Sequence, residues 1–197
     1  ASMAPLILRE CESACPDVSV RIIEGLSVFH EEWINLGRVD LAVLTTIDDS
    51  PDHLREQDLF WEEMVLVASN DFQHGRGGAM TLEEVARFEI TTSHGFRMAI
   101  DQIAKTAGIS IRYANTFDSI PIIKEILTRG SCISILPYVW VEKERLADSL
   151  PVFKITSPSL KRRIVAAWSA TRAISPAIEA ARDPVKRASH GLTVTPS

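Results

Sequence analysis

Two short groups of residues in this chain have the types and spacing to hold a small anion. Thr45-Thr46 closes the apolar run Leu41 to Leu44, and Ser93-His94-Gly95-Phe96-Arg97 opens a stretch with helical periodicity. Hydroxyls and unbonded N–H groups at helix starts donate hydrogen bonds, the helix dipole favours negative charge there, and an arginine fork holds a carboxylate in two bonds. Ser119, ahead of Ile122, Ile123, Ile126 and Leu127, marks another helix start, with Phe117 and Asp118 before it. A dicarboxylate or an amino-acid-like molecule suits these donors. Asp118 would repel an anion unless it points away or reads a ligand ammonium. Plainer roles stay open: Arg97 has Asp101 at i,i+4, and Thr45 and Ser119 are ordinary capping types.

Catalytic readings have less behind them. Ser93 adjoins His94, and Glu31-Glu32 and Glu62-Glu63 are adjacent carboxylates, but sequence neighbours point apart on strands and helices, whereas a nucleophile and its base meet across a fold. His30-Glu31-Glu32 lacks the second histidine of a zinc-protease helix, and Gly75-Arg76-Gly77-Gly78 lacks the Gly-Lys-Ser/Thr ending of a phosphate loop and reads as a turn. Cys11 and Cys15 stand four apart without a second Cys or His pair, so small buried residues are expected; Cys132 falls on an apolar strand and reads as inert packing. No catalytic residue, metal or cofactor is expected.

The elements that must position these groups follow from periodicity. Pro5 to Ala14 reads as a helix with Leu6, Ile7 and Cys11 inward, stopped by Pro16. Val18 to Ile23 reads as a strand, Ser27 as the cap of a helix presenting Phe29, Trp33 and Leu36, Gly37 as its end, and Leu41 to Leu44 as a strand, which together predict a parallel βαβ unit. Ligands of open α/β sheets gather just past strand C-termini, where Thr45 and Thr46 fall. Asp48 to Glu63 reads as an acidic loop anchored by Leu54 and Leu59 to Trp61, before a strand at Met64 to Ala68. Thr81-Leu82-Glu83-Glu84 is a capping-box helix start, Glu89 to Thr92 a strand, and Met98 to Ala107 a helix closed by Gly108. Ile109 to Asn115, the Ser119 helix and Ser131 to Leu136 form a second βαβ unit. Pro151 to Ile155 and Arg163 to Trp168 are late strands, Ser175-Pro176 starts a last helix that Pro184 should break, and Gly191 to Ser197 reads as a loose tail.

Two segments resemble the effector-binding domain of LysR-type transcriptional regulators: Val18 to Thr46, with EG, an amphipathic helix and GRVDLAVL, and Asn115 to Pro137, NTFDSIPIIKEILTRGSCISILP. The likeness runs from about Ala4 to Ile178, departing from the family's Gly-x-Gly at Gly130-Ser131-Cys132. It implies two Rossmann-like α/β lobes joined by crossing strands with an interlobe cleft, of periplasmic-binding-protein type II: lobe I from 1–58 plus 160–197, lobe II from 59–159. It further implies that Thr45, the Ser93 to Phe96 turn and the Phe117 to Ser119 turn surround a small-molecule effector. In the family a winged helix-turn-helix domain reads DNA, so DNA contact is expected only through a domain preceding this segment. An antiparallel homodimer is implied, for which Leu6, Ile7, Met98 and Ile103 are candidates; their alternative is their own lobe's core.

The chain's 197 residues, 46% of them hydrophobic, suffice for a sizeable core, and a formal charge of −5 offers no general attraction to phosphate backbones. Three cysteines cannot all pair, which favours a reduced, cytoplasmic setting, and no run of about twenty apolar residues reads as a membrane span. The expected function is ligand sensing by a transcription regulator. The alternatives are a periplasmic solute-binding protein feeding a transporter, to be separated by the encoded sequence upstream, and a small α/β enzyme such as a dehydratase, for which the catalytic constellation is lacking.

Overall fold

The structure is a computed structural model that describes residues 3–25, 27–46, 52–74 and 77–190. The chain divides into two compact units: the first holds Ala1–Trp61 and Arg163–Thr193, the second Glu62–Arg162. Each is an α/β unit with its own apolar core.

In the first unit, α1 (Ala4–Ala14) and α2 (Ser27–Asn35) precede β1 (Ala42–Thr46), and the opening part of β2 (Leu54–Ala68) follows. Two expectations fail here. Val18 to Ile23 belongs to no strand ladder, and β1 pairs antiparallel with a late strand, so no parallel βαβ unit forms among the described residues. β-branched residues favour an extended backbone, but a strand needs a hydrogen-bonded neighbour; Ile22 and Ile23 are 45% and 42% exposed. The acidic stretch 54–63 is strand, not loop, with Leu54 and Leu59 buried as anchors but Trp61 58% exposed. Asp48 to Pro51 lies outside the described residues, as do the side chain of Ser27 and the tail from Gly191.

The second unit continues β2 into β3 (Gly77–Thr81), α3 (Leu82–Val85), β4 (Glu89–Thr92), α4 (His94–Thr106), β5 (Arg112–Thr116), α5 (Ile120–Arg129), β6 (Ile133–Pro137), α6 (Tyr138–Leu146) and β7 (Val152–Thr156). Its strand order is β3-β7-β2-β6-β4-β5, antiparallel where β2 meets β7 and β6, parallel elsewhere. Gly77 and Gly78 are therefore strand residues rather than a turn; Gly75 and Arg76 lie outside the described residues. The capping box forms as expected, with Thr81 Oγ1 accepting from Glu84 N–H and Glu84 Oε2 accepting from Thr81 N–H at 2.7 Å. The unit's core includes Leu66, Ile90, Ile123, Ile135 and Phe153, each at most 2% exposed, and burying a side chain of this size contributes about 1.5–3 kcal/mol.

The chain re-enters the first unit along β8 (Lys161–Ser169) and ends in α7 (Pro176–Ser189). Alternation along β8 sorts its side chains: Ile164 and Ala166 join Cys11, Cys15 and Val185 on one face, while Val165 and Ala167 join Ile34, Ala42 and Leu44 on the other. Pro184 does not break α7, which runs through it. A proline removes the N–H that would bond the carbonyl four residues back, and that carbonyl, Ala180 O, faces the Cys15 thiol at 3.9 Å.

Candidate functional site

Adjacent parallel strands end at the same edge of a sheet, so β4 and β5 bring the starts of α4 and α5 side by side. Phe117 N–H donates to Thr92 O at 2.9 Å and extends the pairing past both strand ends. The two turns predicted to hold a ligand, 93–97 and 117–119, thus meet in one place within the second unit.

Ser93 sits at the N-cap of α4, buried, its Oγ accepting from Phe96 N–H at 3.4 Å, and Arg97 N–H bonds its carbonyl at 2.9 Å. The helix begins at His94, four residues before the periodicity suggested, because this cap fixes its first turn. His94 and Gly95 are exposed at the first two helical positions, where N–H groups have no intrahelical acceptor. A Cβ built on Gly95 meets nothing within 4 Å, so the approach to those N–H groups is open. Ser119 holds the corresponding position on α5 but makes no side-chain cap, and Pro follows in the first turn. Asp118 is exposed beside it, and Phe117 packs partly into the core.

Two of the predicted residues are committed elsewhere. Phe96 is 8% exposed, with the Trp140 ring edge-on at 6.2 Å and the Arg162 guanidinium over its face at 4.8 Å. Arg97 takes the plainer role left open for it: Nε stands 3.6 Å from Asp101, and the guanidinium covers the Tyr113 ring at 4.4 Å. Tyr113 Oη donates to Asp101 at 2.7 Å. Burial, then Asp101, pushes the Tyr113 phenol far above its ordinary range.

In the first unit Thr45 and Thr46 are the last residues of β1, half-buried and in register with Ile164 and Arg163 of β8. Among the proposed interface residues, Met98 is 54% exposed, whereas Ile7 and Ile103 pack against their own units' cores.

Sequence reading missed the charged ladder along β2 and β8. Arg163 pairs with Glu56 and Asp58 in the first unit; in the second, Lys161 stands 3.5 Å from Glu63 and Arg162 Nε 2.6 Å from Glu62 Oε2. Glu62-Glu63 is therefore a pair of structural partners. The Thr92 and Ser134 hydroxyls are buried on neighbouring strands β4 and β6 without hydrogen-bond partners. Burial raises the Cys11 and Cys132 thiols above their ordinary range, which disfavours the thiolate needed of a nucleophile. Among the described residues no His, Cys, Asp and Glu cluster is arranged to hold a metal, and no helix is long and apolar enough to cross a membrane.

The fold is shared with regulatory domains. The effector binding domain of QuiR, in complex with shikimate, superposes with a TM-score of 0.83 at 19% identity, covering 98% of this chain and 93% of that one. The C-terminal domain of a probable LysR family transcriptional regulator from Rhodococcus sp. RHA1 gives 0.75 at 22% identity, covering 92% and 90%. The HTH-type transcriptional regulator CysB of Haemophilus influenzae is 24% identical over 137 residues, which is 68% of this chain but 42% of that protein, so the chain spans less than half of its length. The family described as the LysR substrate binding domain matches residues 1–189 of the 197, and the chain belongs to it.

Proposed function

We propose that this chain is the effector-sensing part of a LysR-type transcription factor, a switch without chemistry of its own. The observation that carries the reading is the convergence of the α4 and α5 N-termini at one sheet edge, with Gly95 leaving the approach open. Two helix starts make an electropositive, donor-rich seat for a carboxylate. The effector would be a small anionic or amino-acid-like metabolite, its carboxylate at the N–H groups of His94 and Gly95 and the Ser119 hydroxyl. An ammonium, if present, would face Asp118. Arg97, already engaged by Asp101 and Tyr113, would contribute charge at a distance rather than a direct fork. QuiR's complex with shikimate supports a carboxylate as the ligand class.

A ligand moves such a protein only through its differential affinity for two arrangements. The full-length protein would couple that preference to DNA through a homodimer and a separate DNA-reading domain. Relatives that are transcription regulators favour this over a transporter's solute receptor.

Thermal unfolding with a panel of small carboxylates and amino acids tests the reading. A true effector at one hundred times its Kd adds about 2.7 kcal/mol, and Ser119→Ala should remove part of that gain. Turnover of a metabolite, or a stabilisation untouched by that substitution, would overturn it.

A further inference from the structure

Strands β6, β4 and β5 are mutually parallel neighbours, so a third helix, α6, starts at the same sheet edge as α4 and α5. It touches both of the helices whose first turns form the proposed seat. Trp140, in the first turn of α6, stands edge-on to Phe96 of α4 with ring centroids 6.2 Å apart, and Phe96 is the residue whose N–H closes the Ser93 cap. The Trp140 carbonyl accepts from Lys124 Nζ of α5 at 2.9 Å, and the same ammonium pairs with Glu144, one turn further along α6.

Packing alone does not require this arrangement. Tyr138 and Val141 already anchor α6 in the core of the unit, whereas the Trp140 indole is 38% exposed. Its neighbour Phe96 is only 8% exposed, so the indole rests its edge on a buried ring. The Trp140 carbonyl and the Glu144 carboxylate stand four residues apart on one face of α6, and a single ammonium bonded to both fixes the rotation of that helix as well as its place. Glu144 Oε2 is buried without a hydrogen bond, which leaves this carboxylate reliant on Lys124 through its other oxygen.

We infer that Lys124 and Trp140 are positioning residues for the effector seat, acting through Phe96; the inference rests on the reading of the α4 and α5 starts as that seat. The main-chain bond from Phe117 N–H to Thr92 O sets the two starts where the strands end. The chain of contacts from Lys124 through Trp140 to Phe96 sets them again one turn into the helices. With both in place, the N–H groups of His94 and Gly95 are aimed before a ligand arrives, and binding does not have to order them.

Amide exchange of the nitrogen-15-labelled chain tests the positioning without a ligand. The Phe96 N–H should exchange about tenfold faster in Lys124→Met and in Trp140→Leu, the order expected for one hydrogen bond to a charged group. Lys124→Arg, which can still donate to the Trp140 carbonyl and to Glu144, should restore most of the protection. The Glu84 N–H, capped in the same way by Thr81 elsewhere in the unit, should keep its rate, whereas a general loss of stability would speed both. Sodium acetate, replacing sodium chloride at constant ionic strength, is then the carboxylate probe, followed by the His94 and Gly95 amide shifts. Its apparent Kd should rise about tenfold in Lys124→Met and return toward the parent value in Lys124→Arg. Acetate that shifts neither resonance in the parent chain overturns the seat and this inference with it. Acetate bound alike by the parent and Lys124→Met, or Phe96 exchange that stays unchanged or speeds together with that of Glu84, overturns this inference alone.

Discussion

The Arg162 guanidinium lies 4.8 Å over the Phe96 ring while its Nε donates to Glu62 Oε2 at 2.6 Å, so one buried ion pair forms the floor beneath the first turn of α4. The two side chains are only 11% and 6% exposed. Removing one partner of a buried pair strands the other charge in a poorly solvating interior, which typically costs about 3–5 kcal/mol. Arg162→Met should therefore lower stability by about 3 kcal/mol in urea unfolding. Glu62→Gln added to it should recover part of that loss. Trp140, edge-on to Phe96, should report the change by altered fluorescence.

Tyr113 should resist ionisation. Burial comes first among the causes that raise its phenol, Asp101 adds to them by accepting its hydrogen bond, and Arg97 opposes. A folded-state value above the unfolded one means that the contribution to stability is complete below the unfolded phenol's value near pH 10 and is lost as pH rises through the folded one. Alkaline absorbance titration should show Tyr113 ionising only with unfolding. Asp101→Asn should bring its value down part of the way, because burial remains.

What could be read in the sequence was local. The capping box lies within Thr81 to Glu84, the α7 start within Ser175-Pro176, and the strands leading to Ser93 and Ser119 within Glu89 to Thr92 and Ile109 to Asn115. The misread parts depend on distant partners. Glu56, Asp58, Glu62 and Glu63 look like a solvated acidic loop until β8 brings Lys161, Arg162 and Arg163 to them, about a hundred positions later. Pro184 looks like a helix breaker, yet α7 runs through it, with the Cys15 sulfur 3.9 Å from the carbonyl it orphans. Trp168 and Arg182 carry no motif, and only the fold lays the Arg182 guanidinium 4.5 Å over the Trp168 ring.

Thr81→Ala should cost about 1 kcal/mol, the usual value of an N-cap hydroxyl. The Thr81 backbone and side-chain hydrogen bonds hold the exposed Glu84 carboxyl below its usual range. A depressed folded value gives a contribution that is present above the unfolded value and lost as pH falls through the folded one. An NMR titration of the Glu84 side chain should show its value rise toward the ordinary carboxylate range in Thr81→Ala, since the hydroxyl's share of the depression disappears while the backbone's persists.

Gly37 and Gly108 separate backbone strain from steric conflict. Both hold left-handed conformations, with φ of 69° and 71°, which cost a residue with a Cβ about 1–2 kcal/mol. Around Gly108 a Cβ meets nothing within 4 Å, so Gly108→Ala should show that conformational cost alone. At Gly37 the added methyl would stand 2.5 Å from Arg172 Nη1, forcing the guanidinium off the Ile34 and Val39 carbonyls it holds. Gly37→Ala should therefore destabilise by about 1 kcal/mol more than Gly108→Ala, the worth of a lost hydrogen bond. In an Arg172→Met background the two alanine substitutions should become nearly equal in cost. Denaturant unfolding of the single and double variants measures all of these terms, and equal costs at the two glycines in the parent chain would mean that Arg172 does not rest on the end of α2.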